Sequence, residues 1–151
     1  HFCFEETQAI SPLPLVSGVT PLDAYFAAKG IGTVGILGTQ VVMRTRLYGQ
    51  LQATQGVALD DEIEELGRAY QNMAIAGEAT DALRDLFVDA GARLVKDHGA
   101  DAIVLAGTDL GLIFDDLDPG YRVVDALDVH VAELAAIGAG HKPVPAQEIA
   151  A

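Results

Sequence analysis

The chain contains very little cysteine and few basic residues. Cys3 is the only cysteine among 151 residues, which excludes an internal disulfide and a metal site built from cysteines. Nine Lys and Arg stand against 22 Asp and Glu, for a net charge of −13. A field of that sign repels phosphate, so neither nucleic acid nor an anionic membrane is expected as a partner. No apolar run approaches the roughly 20 residues that span a bilayer. A reducing, cytoplasmic setting fits this composition.

Hydrophobic residues make up 50% of the chain, which is enough to bury a core. Two short apolar runs, at residues 33–37 and 101–106, lack the polar alternation of half-exposed strands and are typical of strands buried on both faces. Residues 122–125 are predicted as a further strand. Helical patterns lie between these runs. The alternation predicts an α/β fold with a mostly parallel sheet flanked by helices.

Caps and glycines delimit several helices. Thr20 before Pro21 predicts a helix with the threonine as its N-cap. Thr80 is predicted to cap the longest helix, which His98 and Gly99 close. The prolines around residues 13–16 favour an edge strand or a strand entrance over a central strand.

The segment between the first two buried strands is predicted to be helical. The apolar spacing after Thr39 indicates a helix that continues to Leu51 and is broken by Gly56. Residues 57–59 are then predicted as a brief strand. The pattern of residues 63–73 predicts another amphipathic helix.

Two clusters of small and polar residues follow the predicted strands. Ligands of parallel sheets bind beyond the carboxyl ends of the strands. Gly38 and Thr39 follow one strand there, and Gly107, Thr108 and Asp109 follow another. Each cluster leads toward a helix, whose free backbone N–H groups attract anions. Spacing alone favours helix or turn caps for the polar residues. Ligands for a carboxylate or phosphate, and a base-orienting role for Asp109, stay open as alternatives.

The remaining candidate groups carry weaker signals. The four histidines lack the spacing of a metal site, so no metal is expected. His130 follows the last predicted strand and is interpreted as either a surface histidine or a site residue. Cys3 lies beside two phenylalanines, which predicts a buried, unreactive thiol.

The decisive stretch runs from Gly30 to Thr39, GIGTVGILGT. It resembles the second-half signature of the aspartate/glutamate/hydantoin racemase superfamily, with the aspartate racemase branch as the closest likeness. Residues 99–110 are similar to the family's strand that ends in Gly-Cys-Thr-Glu, and residues 123–130 resemble its last strand and final helix. Residues 1–15 look like the helix and strand that follow the family's first Cys-Asn-Thr motif. The resemblance covers about residues 1–138.

This resemblance implies a specific chemistry. Members of the family have two similar α/β lobes with the site between them. One cysteine from each lobe faces the α-carbon of the substrate. One thiolate removes the α-proton and the other thiol returns a proton on the opposite face, without a cofactor. Threonines, asparagines and backbone amides hold the carboxylates of the substrate and stabilise the developing charge.

The chain departs from the family pattern where the chemistry occurs. Gly107 stands at the expected position of the second cysteine, and a glycine cannot transfer a proton. Val42 replaces the usual hydroxyl after Thr39. The two-cysteine route is therefore not expected of this chain. The resemblance nevertheless implies a site at these positions: Gly38, Thr39 and Thr108 for substrate binding, and Gly107, Asp109 and His130 as the catalytic positions.

The resemblance also implies a division of the chain. Residues 1–19 are interpreted as a remnant of the first lobe, 20–120 as the second lobe, 121–140 as a strand and helix returning toward the first lobe, and 141–151 as a tail. The sequence opens like a helix already under way, without Met. We therefore expect a longer protein, with the first cysteine upstream of His1.

Three interpretations of the function follow. The first, which we favour, is an aspartate/glutamate racemase-like protein of amino-acid metabolism that acts on or binds a small carboxylate and whose first lobe precedes His1. With one upstream cysteine it would perform one-sided acid–base chemistry, as decarboxylase- or isomerase-like relatives do. The second is a non-catalytic protein that binds a small carboxylate. The third is a fragment that completes its core by pairing with another chain, for example as a homodimer.

Overall fold

The computed structural model describes residues 3–145, and within them four strands form one parallel sheet. Its order is β2-β1-β3-β4, so β1 and β3 are the central strands. All three pairings are parallel, which requires a crossover between neighbouring strands. The predicted α/β class is confirmed. The strands are β1 (Thr33–Gly38), β2 (Gln55–Val57), β3 (Ala102–Ala106) and β4 (Val123–Asp125).

Seven α-helices in the described part of the chain connect and cover these strands, with two single 3₁₀ turns at Asp60–Glu62 and Thr108–Leu110. None of them is long and apolar enough to cross a membrane. The helices are α1 (Phe4–Ile10), α2 (Thr20–Ala28), α3 (Gln40–Arg44), α4 (Ile63–Ala76), α5 (Asp81–His98), α6 (Gly111–Phe114) and α7 (Ala126–Gly138).

The two central strands form the middle of the core. Residues 34–38 of β1 are all buried, and so are residues 102–105 of β3. Gly35 allows α5 to pack closely on β1, because a Cβ atom there would lie 2.6 Å from Ile103 Cδ1 and 2.9 Å from Leu94 Cβ. The continuous apolar runs therefore correspond to strands covered on both faces, as predicted.

The ends of α5 also follow the local sequence. The Thr80 hydroxyl accepts a hydrogen bond from the backbone N–H of Leu83 at 3.3 Å, as expected of an N-cap. Gly99 ends the helix in the left-handed conformation, with φ 68°. Both predicted limits are confirmed.

The start of α2 differs from the prediction. Thr20 is the first helical residue and does not cap the helix. Ser17, which is buried, accepts hydrogen bonds from the backbone N–H groups of Val19 at 3.2 Å and Thr20 at 3.1 Å. The preceding run, residues 13–16, forms no strand with the described sheet. Ser17 was missed because a serine four residues before Pro21 does not match the usual Thr-Pro start.

The predicted long helix after Thr39 is wrong, because α3 ends at Arg44. Residues 46–48 follow with φ of 52°, 58° and 60°, three consecutive left-handed residues. The Thr45 hydroxyl donates to the carbonyl of Val41 at 2.7 Å and accepts from the N–H of Tyr48 at 3.0 Å. Such side-chain bonds to the backbone compete with a continuing helix.

The strand after this turn begins earlier than predicted. Gly56 lies within β2 instead of breaking a helix, and the strand covers 55–57 in place of 57–59. A Cβ atom on Gly56 would lie 3.0 Å from Ile36 Cδ1 and 3.1 Å from Leu51 Cδ1, so a side chain there would push these neighbours aside by a few tenths of an ångström.

The N-terminal helix lies at the surface of the described fold. Cys3 is the residue that precedes α1, and it is exposed, which corrects the predicted buried thiol. No residue of α1 is buried. Apolar neighbours in sequence do not bury a side chain when their own helix buries none of its residues. Part of the predicted tail, residues 146–151, lies outside the described residues, and the division into lobes stays a prediction.

Candidate functional site

Three strand ends bring the predicted site segments to one edge of the sheet. Gly38 pairs with Ala106, and Leu105 pairs with Asp125. The residues that follow β1, β3 and β4 therefore emerge side by side. This is the edge at which open α/β sheets bind ligands.

A cavity of about 210 Å³ lies at this edge. Three of the predicted site residues line it, namely Gly107, Thr108 and His130. Most of its surface is contributed by apolar side chains. The other lining residues are Gly18, Val19, Leu22, Val42, Leu47, Tyr48, Leu105, Ala106, Ala126 and Leu127.

Gly38 and Thr39 are next to this cavity in the fold but do not line it. A Cβ atom on Gly38 would lie 2.8 Å from the carbonyl oxygen of Ala106, so glycine permits the close approach of β1 and β3. The Thr39 hydroxyl accepts a hydrogen bond from the backbone N–H of Val42 at 3.4 Å. Thr39 is therefore the N-cap of α3, the alternative that spacing favoured.

Asp109 has a partner that the sequence did not reveal. The Tyr70 hydroxyl donates a hydrogen bond to Asp109 Oδ2 at 2.7 Å. Tyr70 belongs to α4 and is only 7% exposed. Burial, and then the adjacent carboxylate of Asp109, raise the pKa of Tyr70 to about 12, so the phenol keeps its proton at neutral pH.

The ring of Tyr70 fills the space beside Gly107. A Cβ atom on residue 107 would lie 2.6 Å from both Cε2 and the hydroxyl oxygen of Tyr70, and 2.7 Å from its Cζ. Real Cβ atoms do not approach other atoms so closely. A cysteine therefore does not fit at position 107 in this structure while Tyr70 stays in place. In the sequence, Tyr70 was only one member of the apolar pattern of a helix.

His130 holds the segment before α2 against α7. Its Nε2 lies 3.2 Å from the carbonyl oxygen of Val16. Its Nδ1 would lie 3.2 Å from a Cβ atom on Gly18, so glycine leaves room for the ring. His130 thus lines the cavity and also has a structural partner.

Asp125 is a further polar group at the edge that was not predicted as a site residue. It caps α7 by accepting a hydrogen bond from the N–H of Leu127 at 2.7 Å. Burial raises the pKa of Asp125; the N–H of Leu127 opposes this effect, and the charges of Asp128 and Asp115 add to it. In the sequence, the position of Asp125 at the end of a predicted strand was the signal that could have identified it as a group at this edge.

This raised pKa makes stability depend on pH. The ionised carboxylate of Asp125 is less favourable in the fold than in the unfolded chain, so its contribution is present below the ordinary pKa of 3.8 and is lost as the pH rises through the folded-state pKa. Asp125→Asn keeps the capping oxygen and does not ionise. We expect the variant to gain stability relative to the wild type as the pH rises from about 3 to about 7, the window that begins below the ordinary pKa. Urea unfolding across this range measures the difference, and a difference independent of pH would contradict the assignment.

The charged groups around the cavity give no support for a metal. Within residues 3–145, no group of three or more His, Cys, Asp or Glu side chains is placed to hold an ion. No described lysine or arginine lines the cavity either. The arrangement offers hydroxyls at Tyr48 and Thr108, an imidazole at His130 and an otherwise apolar wall.

The fold and the position of the cavity define a parallel α/β protein with its candidate site at the carboxyl ends of the strands. The family model of the Asp/Glu/hydantoin racemases matches residues 1–134. The chain belongs to this family. The resemblance drawn from its motifs is confirmed.

Solved structures share the same fold. An aspartate racemase homologue from Pyrococcus horikoshii OT3 superposes with a TM-score of 0.75 at 22% identity, over 92% of this chain and 62% of that one. A Yersinia pestis protein assigned as an Asp/Glu racemase gives a TM-score of 0.67 at 21% identity, over 86% of this chain and 57% of that one. The chain thus spans about three fifths of these structures. No curated protein matches it.

Proposed function

We propose that this chain binds a small carboxylate, an amino acid in the first place, in the cavity at the ends of β3 and β4. The observation that carries this proposal is the convergence of Gly107, Thr108 and His130 on one cavity of about 210 Å³. Family membership supports a small carboxylate as the ligand. Thr108 supplies a hydroxyl that donates to a carboxylate oxygen.

The same site explains which part of the family chemistry this chain lacks. A racemase of this family transfers protons at the α-carbon with two thiols. Gly107 has no side chain, and Tyr70 occupies the adjoining space. We therefore propose that the chain contributes binding, and that position 107 supplies no acid or base for proton transfer at the α-carbon. Cofactor-independent chemistry and a cytoplasmic setting stay predictions.

Thr108→Ala tests the proposed ligand contact. Removal of the hydroxyl leaves a charged acceptor underpaired, so we expect the affinity for a bound carboxylate to fall by about 1–3 kcal/mol. Isothermal titration calorimetry with short amino and carboxylic acids measures the change. Thr108→Ser, which keeps the hydroxyl, is the matched control and is expected to bind like the wild type. Equal affinity in all three proteins would remove Thr108 from the site.

Self-association is a second candidate function. Leu127, Val131 and Leu134 are exposed on α7 at positions four and then three residues apart, and so lie on one side of the helix. We propose a second copy of the chain as the partner of this side, because an isologous contact pairs the same apolar side with itself. The molar mass in solution, measured over a range of concentrations, decides whether the predicted homodimer forms.

A further inference from the structure

The composition of the cavity wall points to the class of carboxylate that it accepts. We propose that the cavity takes a monocarboxylate with an apolar substituent, such as an amino acid with a branched aliphatic side chain, in preference to a dicarboxylate such as aspartate. This inference rests on the proposed function. The proposed ligand differs from the substrates in the family's description. It is inferred from the side chains that line the cavity of this chain.

The wall is apolar where a substituent of the ligand would lie. Val19, Leu22, Val42, Leu47 and Leu105 line it and are all buried, with exposed fractions of 8% or less. Val42 stands at the position where the resemblance implies a hydroxyl. A branched aliphatic group in such a cavity buries its surface against these side chains, which is favourable.

A second carboxylate would find no cation in this wall. None of the described lining residues is a lysine or an arginine. Arg46 precedes the lining residue Leu47, but its guanidinium donates to the carbonyl of Met43 and to the carboxylate of Asp60. A carboxylate that loses water without gaining a cation is strongly disfavoured.

The carboxylates beside the cavity also disfavour the binding of a dicarboxylate. Asp125 immediately precedes the lining residue Ala126, and the carboxylates of Asp115 and Asp128 act on it. These carboxylates repel a second negative charge on a ligand that is bound at this edge. His130 Nε2 lies 3.2 Å from the carbonyl oxygen of Val16, so this ring nitrogen already has a partner within the chain. Thr108 is the proposed donor to one carboxylate.

Leucine and aspartate provide the test, because an isopropyl group in one replaces a carboxylate of similar size in the other. Both enantiomers of each amino acid are titrated into the full chain by calorimetry at one pH and ionic strength. We expect leucine to bind about tenfold more tightly than aspartate or better, since burial of an unpaired charge is costly. Equal or tighter binding of aspartate overturns the inference and leaves the proposed function standing. If neither amino acid binds, both fail.

A pair of variants keeps the test specific to the cavity. Leu127 lines the cavity and is 43% exposed, and Leu134 lies two turns later on α7, is 44% exposed and does not line it. Leu127→Lys places a cation at the cavity and is expected to shift the preference toward aspartate by about two- to fivefold, the range of partly exposed ion pairs. Leu134→Lys changes the net charge equally and is expected to leave the preference unchanged. Identical shifts in both variants would show that the absence of a cation in the wall does not decide the preference.

Discussion

Gly107→Cys is expected to destabilise the fold by about 1–3 kcal/mol, although the resemblance implies a cysteine at this position. The new Cβ atom would lie 2.6 Å from two atoms of Tyr70, including its hydroxyl oxygen. Tyr70 is buried and bonded to Asp109, so it does not move without loss of that contact. The overlap is therefore relieved either by loss of that hydrogen bond or by a shift of α4 or of the end of β3. Urea unfolding measures the loss.

A double-variant cycle assigns the effect to Tyr70. Tyr70→Leu removes the ring atoms that the cysteine would meet, so Gly107→Cys in that background is expected to cost about 1–3 kcal/mol less than alone. Gly138→Cys serves as the control for a new thiol, because a Cβ atom on Gly138 has no neighbour within 4 Å. Additive effects of the two substitutions would contradict the close contact. A thiol reactivity assay then shows whether the double variant presents Cys at the cavity.

Gly67→Ala is expected to lower the free energy of unfolding by about 2–3 kcal/mol, near the upper part of the usual range for overpacking. A Cβ atom on Gly67 would lie 2.8 Å from Cβ of Gln40 and 3.0 Å from both its Cα and its backbone nitrogen. These backbone atoms cannot rotate aside as a flexible side chain does. The helices α3 and α4 must separate to admit one methyl group.

The separation of α3 from α4 is also expected to alter the cavity. Gln40 is the first residue of α3, directly after Thr39, and Val42 of the same helix lines the cavity. Carboxylate affinity should fall together with stability, as calorimetry and urea unfolding would show. Gly138→Ala is the matched control, since it adds the same methyl group to a helix where nothing lies within 4 Å. A neutral or slightly stabilising effect there agrees with the helix preference of alanine. Equal changes in stability and affinity for Gly67→Ala and Gly138→Ala would argue against the close packing of α3 on α4.

The local sequence determined the class of fold and the edge at which the site lies. The runs at 33–37 and 101–106 are apolar without alternation, and only strands covered on both faces need that pattern. The residues after them were therefore placed correctly at the carboxyl ends of parallel strands. The caps at Thr39 and Thr80 were also predictable, because a cap depends on residues only three positions apart. Family membership followed from the order of the motifs.

The tertiary structure decided which side chains surround these positions. Tyr70 and Gly107 belong to different elements, and no local pattern reveals that the ring of one fills the space beside the other. The early end of α3 depends on hydrogen bonds of Thr45 that compete with the helix, which hydrophobic spacing does not register. Cys3 is exposed because α1 buries none of its residues. Caps and buried strands are determined by residues that are close in the sequence. The wall of the cavity and the space at position 107 form only when distant segments pack together.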